Sequence, residues 1–434
     1  KAALEKSPGV PDGLFIWAAW PWGDMDMTTY TDASYLQYLD GMPYMMPVSP
    51  WFYTNLPGYN KNWLWRGDDL WYDRWQQVQF LQPEWVQIIT WNDYGESTYI
   101  GPIHEDLLHH TFAENRGRAS FDYALDMPHD AWRQHILPFL IDQYKTNVAT
   151  VTQEAIIAWY RLTPGAACPD DGKTSGNTHT QLQLEFPPGQ VSQDRIFFSA
   201  LLSSSRAVTV TVGGIDLDAD WTSVPAGGVG VYHGSVAYGS NTGAVVITVG
   251  SMVFTGDPIT TSCNRVTGQD GKTNWNAWVG SVTGSTVNVV APSTSNYVCI
   301  RGKGVGNFGG LCSFSCSLGY CPEGACTCTA MGPQATLPGP STPGYGTVGY
   351  PAEGLGPSYS GLCSFSCNYG YCPPGVCGTT EYPLVIPSVS EFLPFTCTSG
   401  TGVGDLGGLC SFACNYGFCP IHSCTCTSQG PLTV

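Results

Sequence analysis

The chain has 434 residues, a formal net charge of −17 and only 12% charged residues. That length allows two to four domains. An acidic chain with no basic cluster argues against nucleic acid and anionic membrane surfaces as partners, and no apolar run approaches the length of a membrane span.

Residues 1–161 alternate between strand-like and helix-like segments. Gly13 to Ala19 is an apolar strand that ends in an aromatic, acidic loop, Trp20-Pro21-Trp22-Gly23-Asp24. Thr31 or Asp32 can cap a short helix running to Leu39. Pro43 to Val48 is the next strand, with Ser49-Pro50-Trp51-Phe52-Tyr53 as its loop. Asp68-Asp69 opens a helix with Trp71, Trp75, Val78 and Leu81 along one face. Trp85 to Thr90 is the third strand. Asp130 opens a helix with Trp132, Ile136, Leu140 and Tyr144 on one stripe, and Ala155 to Tyr160 is the fourth strand. Strand, aromatic loop and helix in succession follow the pattern of a (β/α) barrel. A closed barrel has eight strands and the sequence offers about four. The expectation is therefore the C-terminal half of a barrel, in a chain that starts at Lys1 as a processed end or a truncation.

The third strand opens into Trp91-Asn92-Asp93-Tyr94-Gly95-Glu96-Ser97. Loops at the C-terminal ends of barrel strands carry the chemistry of such folds. Two carboxylates there, Asp93 and Glu96, are the minimum for cleaving a glycosidic bond: one protonates the leaving oxygen, the other activates water or attacks the sugar. The competing reading makes Asp93 a turn cap and Glu96 a solvated acid. Twelve of the 15 tryptophans precede residue 162. Exposed rings offer flat apolar faces to sugars, which suits a glycan cleft, while core packing takes the others. Trp20, Trp22, Trp51, Tyr53, Trp91, Asn92 and Tyr94 are the candidates for sugar contact, with Asp24 as a hydroxyl partner or third acid. Gly95-Glu96-Ser97-Thr98-Tyr99 fails as a serine-hydrolase elbow because Tyr99 replaces its closing glycine. His104-Glu105-Asp106-Leu107-Leu108 fails as a zinc-protease helix because Leu108 replaces the second histidine. The sequence shows no phosphate loop or dinucleotide fingerprint, so no cofactor and no metal are expected.

From about Cys168 to Cys299 short alternating runs replace the helices: Gln181 to Phe186, Arg195 to Leu202, Ala207 to Val212, Gly230 to Ala237, Ala244 to Phe254 and Thr286 to Val290. Their spacing reads as a β-sandwich. Cys168 and Cys263 are expected to pair across it. The last third repeats itself: Gly310 to Cys316, Gly361 to Cys367 and Gly408 to Cys414 each read G-L-C-S-F-x-C within a C-x3-C-x4-C-x4-C frame. Copies one and three hold six cysteines and copy two holds four, which with the sandwich pair accounts for all 18. Units this small need cross-links, so the cysteines read as disulfides of an oxidising compartment and the protein as secreted or wall-associated. Zinc is the rival, disfavoured because C-x2-C pairs are absent. Six cysteines allow 15 pairings, so the connectivity within a copy stays open. Met331 to Ser360 and Gly378 to Pro394 read as flexible spacers.

Pro43 to Phe52 and Gln87 to Ser97 resemble fungal glycoside hydrolase family 71, the α-1,3-glucanases or mutanases. The resemblance covers residues 1–161 and extends through the sandwich to about 299. It implies a barrel followed by a β-sandwich, α-1,3-glucan as partner, and inverting hydrolysis on Asp93 and Glu96. The terminal repeats resemble the cysteine-rich α-glucan-binding modules of family 24. The expected fold class is thus α/β then all-β. The expected domains are a half barrel (1–165), a sandwich (166–298), and repeats at 299–330, 361–378 and 397–434, with linkers at 331–360 and 379–396. A monomer is expected for the full-length protein. The alternative is a non-catalytic secreted glycan-binding or wall protein carrying a remnant half barrel.

Overall fold

A computed structural model describes residues 12–56, 61–104, 123–169, 174, 176, 185–263, 271–386, 388, 395–420 and 423–431. Contacts divide the chain into a larger unit of residues 13–352 and 358–381 and a smaller one that holds Glu353–Pro357 and Tyr382–Val434.

The larger unit opens with β1 (Leu14–Phe15), α1 (Tyr30–Leu39), β2 (Tyr44–Val48), the hairpin β3 (Phe52–Leu56) and β4 (Lys61–Trp65), α2 (Leu70–Leu81) and β5 (Trp85–Ile88). β1, β2 and β5 pair in parallel, with Leu14 opposite Tyr44 and Met45 opposite Trp85. The expected succession is present, as three parallel strands; the described residues form no closed barrel. α1 does not start on a capping Thr31 or Asp32. Its N-cap is Thr29, and Asp32 is buried within the helix. The Asp32 carboxylate takes both terminal nitrogens of Arg74 at 2.7 and 2.8 Å and the Tyr44 hydroxyl at 2.8 Å, while Arg74 Nε donates to Pro47 O at 2.9 Å. One ion pair therefore fastens α1, β2 and α2 together, with every polar edge of the guanidinium engaged.

The helix expected from Asp130 onward is broken into α3 (Asp130–Arg133) and α4 (Ile136–Thr146). Pro138 has no N–H to continue the ladder, so the chain restarts with the proline in its first turn, where no donor is needed. The segment expected as a fourth parallel strand is a correction of a different kind. Ala155 to Tyr160 belongs to β6 (Thr150–Tyr160), which pairs antiparallel with β7 (Arg195–Leu202) and β13 (Trp278–Val290). Its apolar run is continuous because both faces are covered. Ile156, Ala158 and Tyr160 face the sandwich core. On the other face Trp159 meets Trp132 edge-on and donates to Asp68 O at 2.7 Å.

Between β7 and β13 lie β8 (Val208–Val212), β9 (Ile215–Asp216), β10 (Gly230–Ala237), β11 (Gly243–Val249) and β12 (Met252–Ile259). Two four-stranded antiparallel sheets, β10-β7-β6-β13 and β12-β11-β8-β9, enclose one apolar core. Every second residue of β8 and β11 enters it: Val208, Val210, Val212, Val245, Ile247 and Val249. The run from Ala244 to Phe254 is two strands, turned at Gly250 with φ 60°. The run from Gln181 to Phe186 lies mostly outside the described residues. Cys168 pairs with Cys263 as expected.

Repeat one is β14 (Tyr297–Lys303), α5 (Phe308–Ser317) and β15 (Thr327–Pro333). Repeat two is β16 (Tyr350–Pro351), α6 (Ser360–Asn368) and β17 (Cys377–Gly378). Repeat three is β18 (Thr396–Thr401), α7 (Gly407–Asn415) and β19 (Thr425–Gly430). In each, the G-L-C-S-F-x-C motif is the helix, set against a two-stranded antiparallel sheet. The connectivity is the same throughout, first to fourth and second to third cysteine of the frame: Cys312–Cys326 with Cys316–Cys321, Cys363–Cys377 with Cys367–Cys372, Cys410–Cys424 with Cys414–Cys419. Cys299–Cys328 and Cys397–Cys426 staple the longer sheets of repeats one and three, and no cysteine is free. No helix among the described residues is long and apolar enough to cross a membrane.

Repeat one packs against the N-terminal elements of the larger unit. Thr29 Oγ1 donates to Glu323 O at 3.3 Å, Lys303 Nζ reaches Asp26 Oδ2 at 3.0 Å, and Phe80 of α2 packs against the repeat's cystine core.

Candidate active site

The site is built on the exit of β5. Beyond Ile88 the chain leaves the sheet and folds back on itself: Thr90 N donates to Thr98 O at 2.9 Å, Ile100 N to Thr90 O at 3.0 Å, and the Thr90 and Thr98 hydroxyls meet at 2.8 Å. Within this loop Tyr94–Glu96 form one 3₁₀ turn. Asp93 caps it, Oδ1 accepting the Glu96 N–H at 3.0 Å, so the capping reading of D-x-x-E holds as local structure. It does not exclude chemistry, since a cap fixes the carboxylate in place.

Glu96 points towards the β3–β4 hairpin, where Lys61 Nζ sits 2.8 Å from its Oε1. The lysine is 35% exposed and the glutamate 17%, so the pair lies at a solvent boundary rather than sealed in the interior. Burial raises the Asp93 pKa above the ordinary carboxylate value. The negative charge of Glu96 pushes in the same direction; the Glu96 and Gly95 N–H groups and Lys61 oppose them. One acid is thus biased towards its protonated form, while the other accepts a cation.

A buried shell holds the loop. Tyr123 donates its hydroxyl to Gly95 O at 2.7 Å, and Tyr94 donates to Pro102 O at 2.8 Å. Tyr99 donates to Met127 O at 2.6 Å and accepts from Asn276 Nδ2 at 3.1 Å, which ties the loop to the segment entering β13. The ring of His129 stacks on Tyr99 at 3.9 Å, and burial lowers its pKa to about 4. These contacts span up to 177 positions of sequence, so nothing in the local pattern announces them.

The aromatic candidates separate by exposure. Trp22 and Trp91 are 45% and 55% exposed, and Asp24 and Asn92 are exposed as well. Arg133 lies over the Trp91 ring at 5.3 Å. Trp20, Trp51, Tyr53 and Tyr94 are buried. Trp20 donates to Trp51 O and stacks on Trp65; Trp51 donates to Trp275 O; Tyr53 meets Tyr123 edge-on. Those four rings build the wall and leave no free face for a ligand. Lys61 is the group that sequence reasoning missed. Its signal was faint: a cation beside Asn62-Trp63 in a chain with only 17 basic residues. Two cavities of about 650 Å³ lie apart from Asp93 and Glu96, one beneath α2, α4 and the sandwich, the other between α2 and repeat one.

Residues 1–292 match the profile of glycosyl hydrolase family 71. A mutanase of Penicillium rubens is 38% identical over 229 residues, 50% of this chain and 45% of that protein. A glucan endo-1,3-α-glucosidase of Schizosaccharomyces pombe is 38% identical over 218 residues, 49% of this chain and 46% of that protein. An ascus wall endo-1,3-α-glucanase of the same yeast is 37% identical over 143 residues, 32% of this chain and 31% of that protein. The chain spans less than half the length of the curated relatives it matches. No solved structure matches it.

Proposed function

The chain belongs to glycosyl hydrolase family 71, and from that premise we propose that it contributes the catalytic pair of an enzyme that hydrolyses α-1,3-glucosidic bonds of fungal wall glucan with inversion. The observation that carries this reading is the pairing of an acid biased towards protonation, Asp93, with an acid held against a cation, Glu96, on one turn at the end of β5. Asp93 acts as general acid and protonates the glycosidic oxygen as the bond to the anomeric carbon breaks. Glu96 acts as general base and takes the proton of the water that attacks from the opposite face. Inversion needs the two carboxyls roughly 6.5–9.5 Å apart when substrate and water are bound. Lys61 is a positioning residue that keeps the Glu96 carboxylate oriented. Trp22 and Trp91 offer stacking faces, and Asn92 and Asp24 offer polar contacts to sugar hydroxyls. The parallel sheet is read as part of a (β/α) barrel, which would put Asp93 and Glu96 at the strands' C-terminal mouth, where that fold keeps its chemistry. The relatives' names support the substrate class. Nine disulfides fit an oxidising setting at the wall, and the terminal repeats are read as glucan-binding modules.

Time-resolved proton NMR of an α-1,3-linked oligosaccharide during cleavage tests this. The β-anomer of the new reducing end is expected first, converting later to the equilibrium mixture. An α-anomer at the earliest times would rule out the inverting assignment, and no cleavage would rule out the activity.

A further inference from the structure

Repeats one and two are mated face to face by a pseudo-twofold relation, and among the described residues of its own unit nothing covers the same face of repeat three. Phe314 of repeat one stacks on Tyr371 of repeat two with ring centroids 4.9 Å apart, and Phe365 of repeat two stacks on Tyr320 of repeat one at 4.6 Å. These are the same two motif positions with the partners exchanged. Phe308 and Tyr359, which share one motif position, stack on each other at 4.2 Å, as residues on the local axis must. The motif's first glycine completes the fit. A Cβ at Gly310 would collide with the Tyr371 hydroxyl, and one at Gly361 with the Tyr320 hydroxyl. Leu311 and Leu362, next in the motif, are buried. Residue i meeting j while j meets i is the signature of an isologous interface, here between two copies of one motif in one chain.

Repeat three keeps every apolar element of that face, and the described residues of its own unit leave them exposed. Leu409, Phe412 and Phe418, the counterparts of Leu311, Phe314 and Tyr320, are 61%, 66% and 70% exposed. Leu406, at the axial position, is 39% exposed, and a Cβ at Gly408 would meet nothing within 4 Å. The face is already shaped. Phe412 and Tyr416 lie 5.0 Å apart at 48°, as Phe365 and Tyr369 lie 4.8 Å apart at 54° in the mated copy. Phe418 also replaces a tyrosine, which makes the face more apolar than those it copies.

We propose that repeat three docks on repeat three of a second copy of this chain, through the interface that joins repeats one and two. The occupant follows from the self-complementarity of the motif: its partner within the chain is another copy of itself. An isologous contact closes on two copies, so the product is a dimer and not a fibre. The sequence alone suggests a monomer for the full-length protein, and its periodicity does not show which faces of the repeats are covered.

Sedimentation equilibrium of the oxidised chain, from about 1 to 500 μM, tests this. The mass is expected to rise with concentration from 46.7 kDa towards twice that value and to stop there. Phe412→Asp, and separately Phe418→Asp, should raise the dissociation constant more than about tenfold, because a buried aromatic anchor is lost. Both positions are exposed in the single chain, so an unchanged melting curve is expected for each variant. A constant 46.7 kDa at every concentration overturns the proposal. So does association that neither variant weakens, or growth beyond two copies. Loss of adsorption to α-1,3-glucan particles in Phe412→Asp with no change in mass would identify the polysaccharide as the occupant and overturn it equally.

Discussion

At the scale of single residues, the proposed mechanism gives Asp93 two jobs at once. Its carboxylate caps the turn that carries Glu96, and burial raises its pKa above the ordinary carboxylate value, the direction a general acid needs. Asparagine caps a helical turn as well as aspartate does, so Asp93→Asn should remove the chemistry and leave the melting temperature nearly unchanged. Lys61 lowers the Asp93 pKa through its charge. An acid must be protonated to act, so activity falls as pH rises through its pKa. In Lys61→Met the alkaline limb of the kcat/KM profile should therefore move to higher pH; an unmoved limb would remove Asp93 from the acid's place. Trp91 is exposed on the same loop as the two acids, and losing one stacking face costs about 0.5–1.5 kcal/mol. Trp91→Ala should lower kcat/KM about two- to tenfold, with KM carrying the change. The turn that carries the two acids was legible from the sequence because a strand ran directly into it. Lys61 was not, because it comes from a hairpin 35 positions earlier.

At the scale of elements, the largest departures from the sequence reading have physical causes. β6 resembled a parallel barrel strand because a strand buried on both faces loses its alternation whichever sheet it joins. Asp32 resembled a cap because it stands early in α1, yet its partner, Arg74, lies 42 positions away. That ion pair is fully buried, so removing one partner strands the other charge. Arg74→Met should cost about 3–5 kcal/mol in urea unfolding, with much of the loss recovered in Arg74→Met with Asp32→Leu. A loss below about 1 kcal/mol in the single variant would mean that the charge is relieved by water. α2 also carries Asp73, whose pKa is pushed up to about 8, mainly by burial and also by Asp69 and Asp26, against Lys303 and Arg301. The folded acid is neutral where the unfolded one has ionised. Its contribution to stability is complete below pH 3.8 and is lost as pH rises to about 8. Asp73→Asn should flatten that decline in thermal melts at successive pH values, and a slope equal to wild type would place the titration elsewhere.

At the scale of the whole molecule, two modes of construction meet. The parallel sheet, α2 and the sandwich share large buried faces, while the repeats rest on cystines. Their disulfide pattern became definite only in three dimensions, although the count of 18 already left no thiol over. The docking of repeat one against α2 was not legible, because a Cys-rich motif reads the same whether it is tethered or packed. Repeat three belongs to a separate contact unit, so removing residues 382–434 should leave turnover of soluble oligosaccharides intact. Adsorption to insoluble glucan should weaken, because fewer linked modules lower the effective concentration at the polymer. Equal losses on both substrates would contradict the binding role. The most direct test of the catalytic assignment is reducing-sugar release from α-1,3-glucan by the chain and by its Asp93→Asn and Glu96→Gln variants, each checked for an unchanged melting curve. A fall of at least about 10²–10⁴-fold in each variant is expected. Release at the parent rate by either one would contradict the two-carboxylate site.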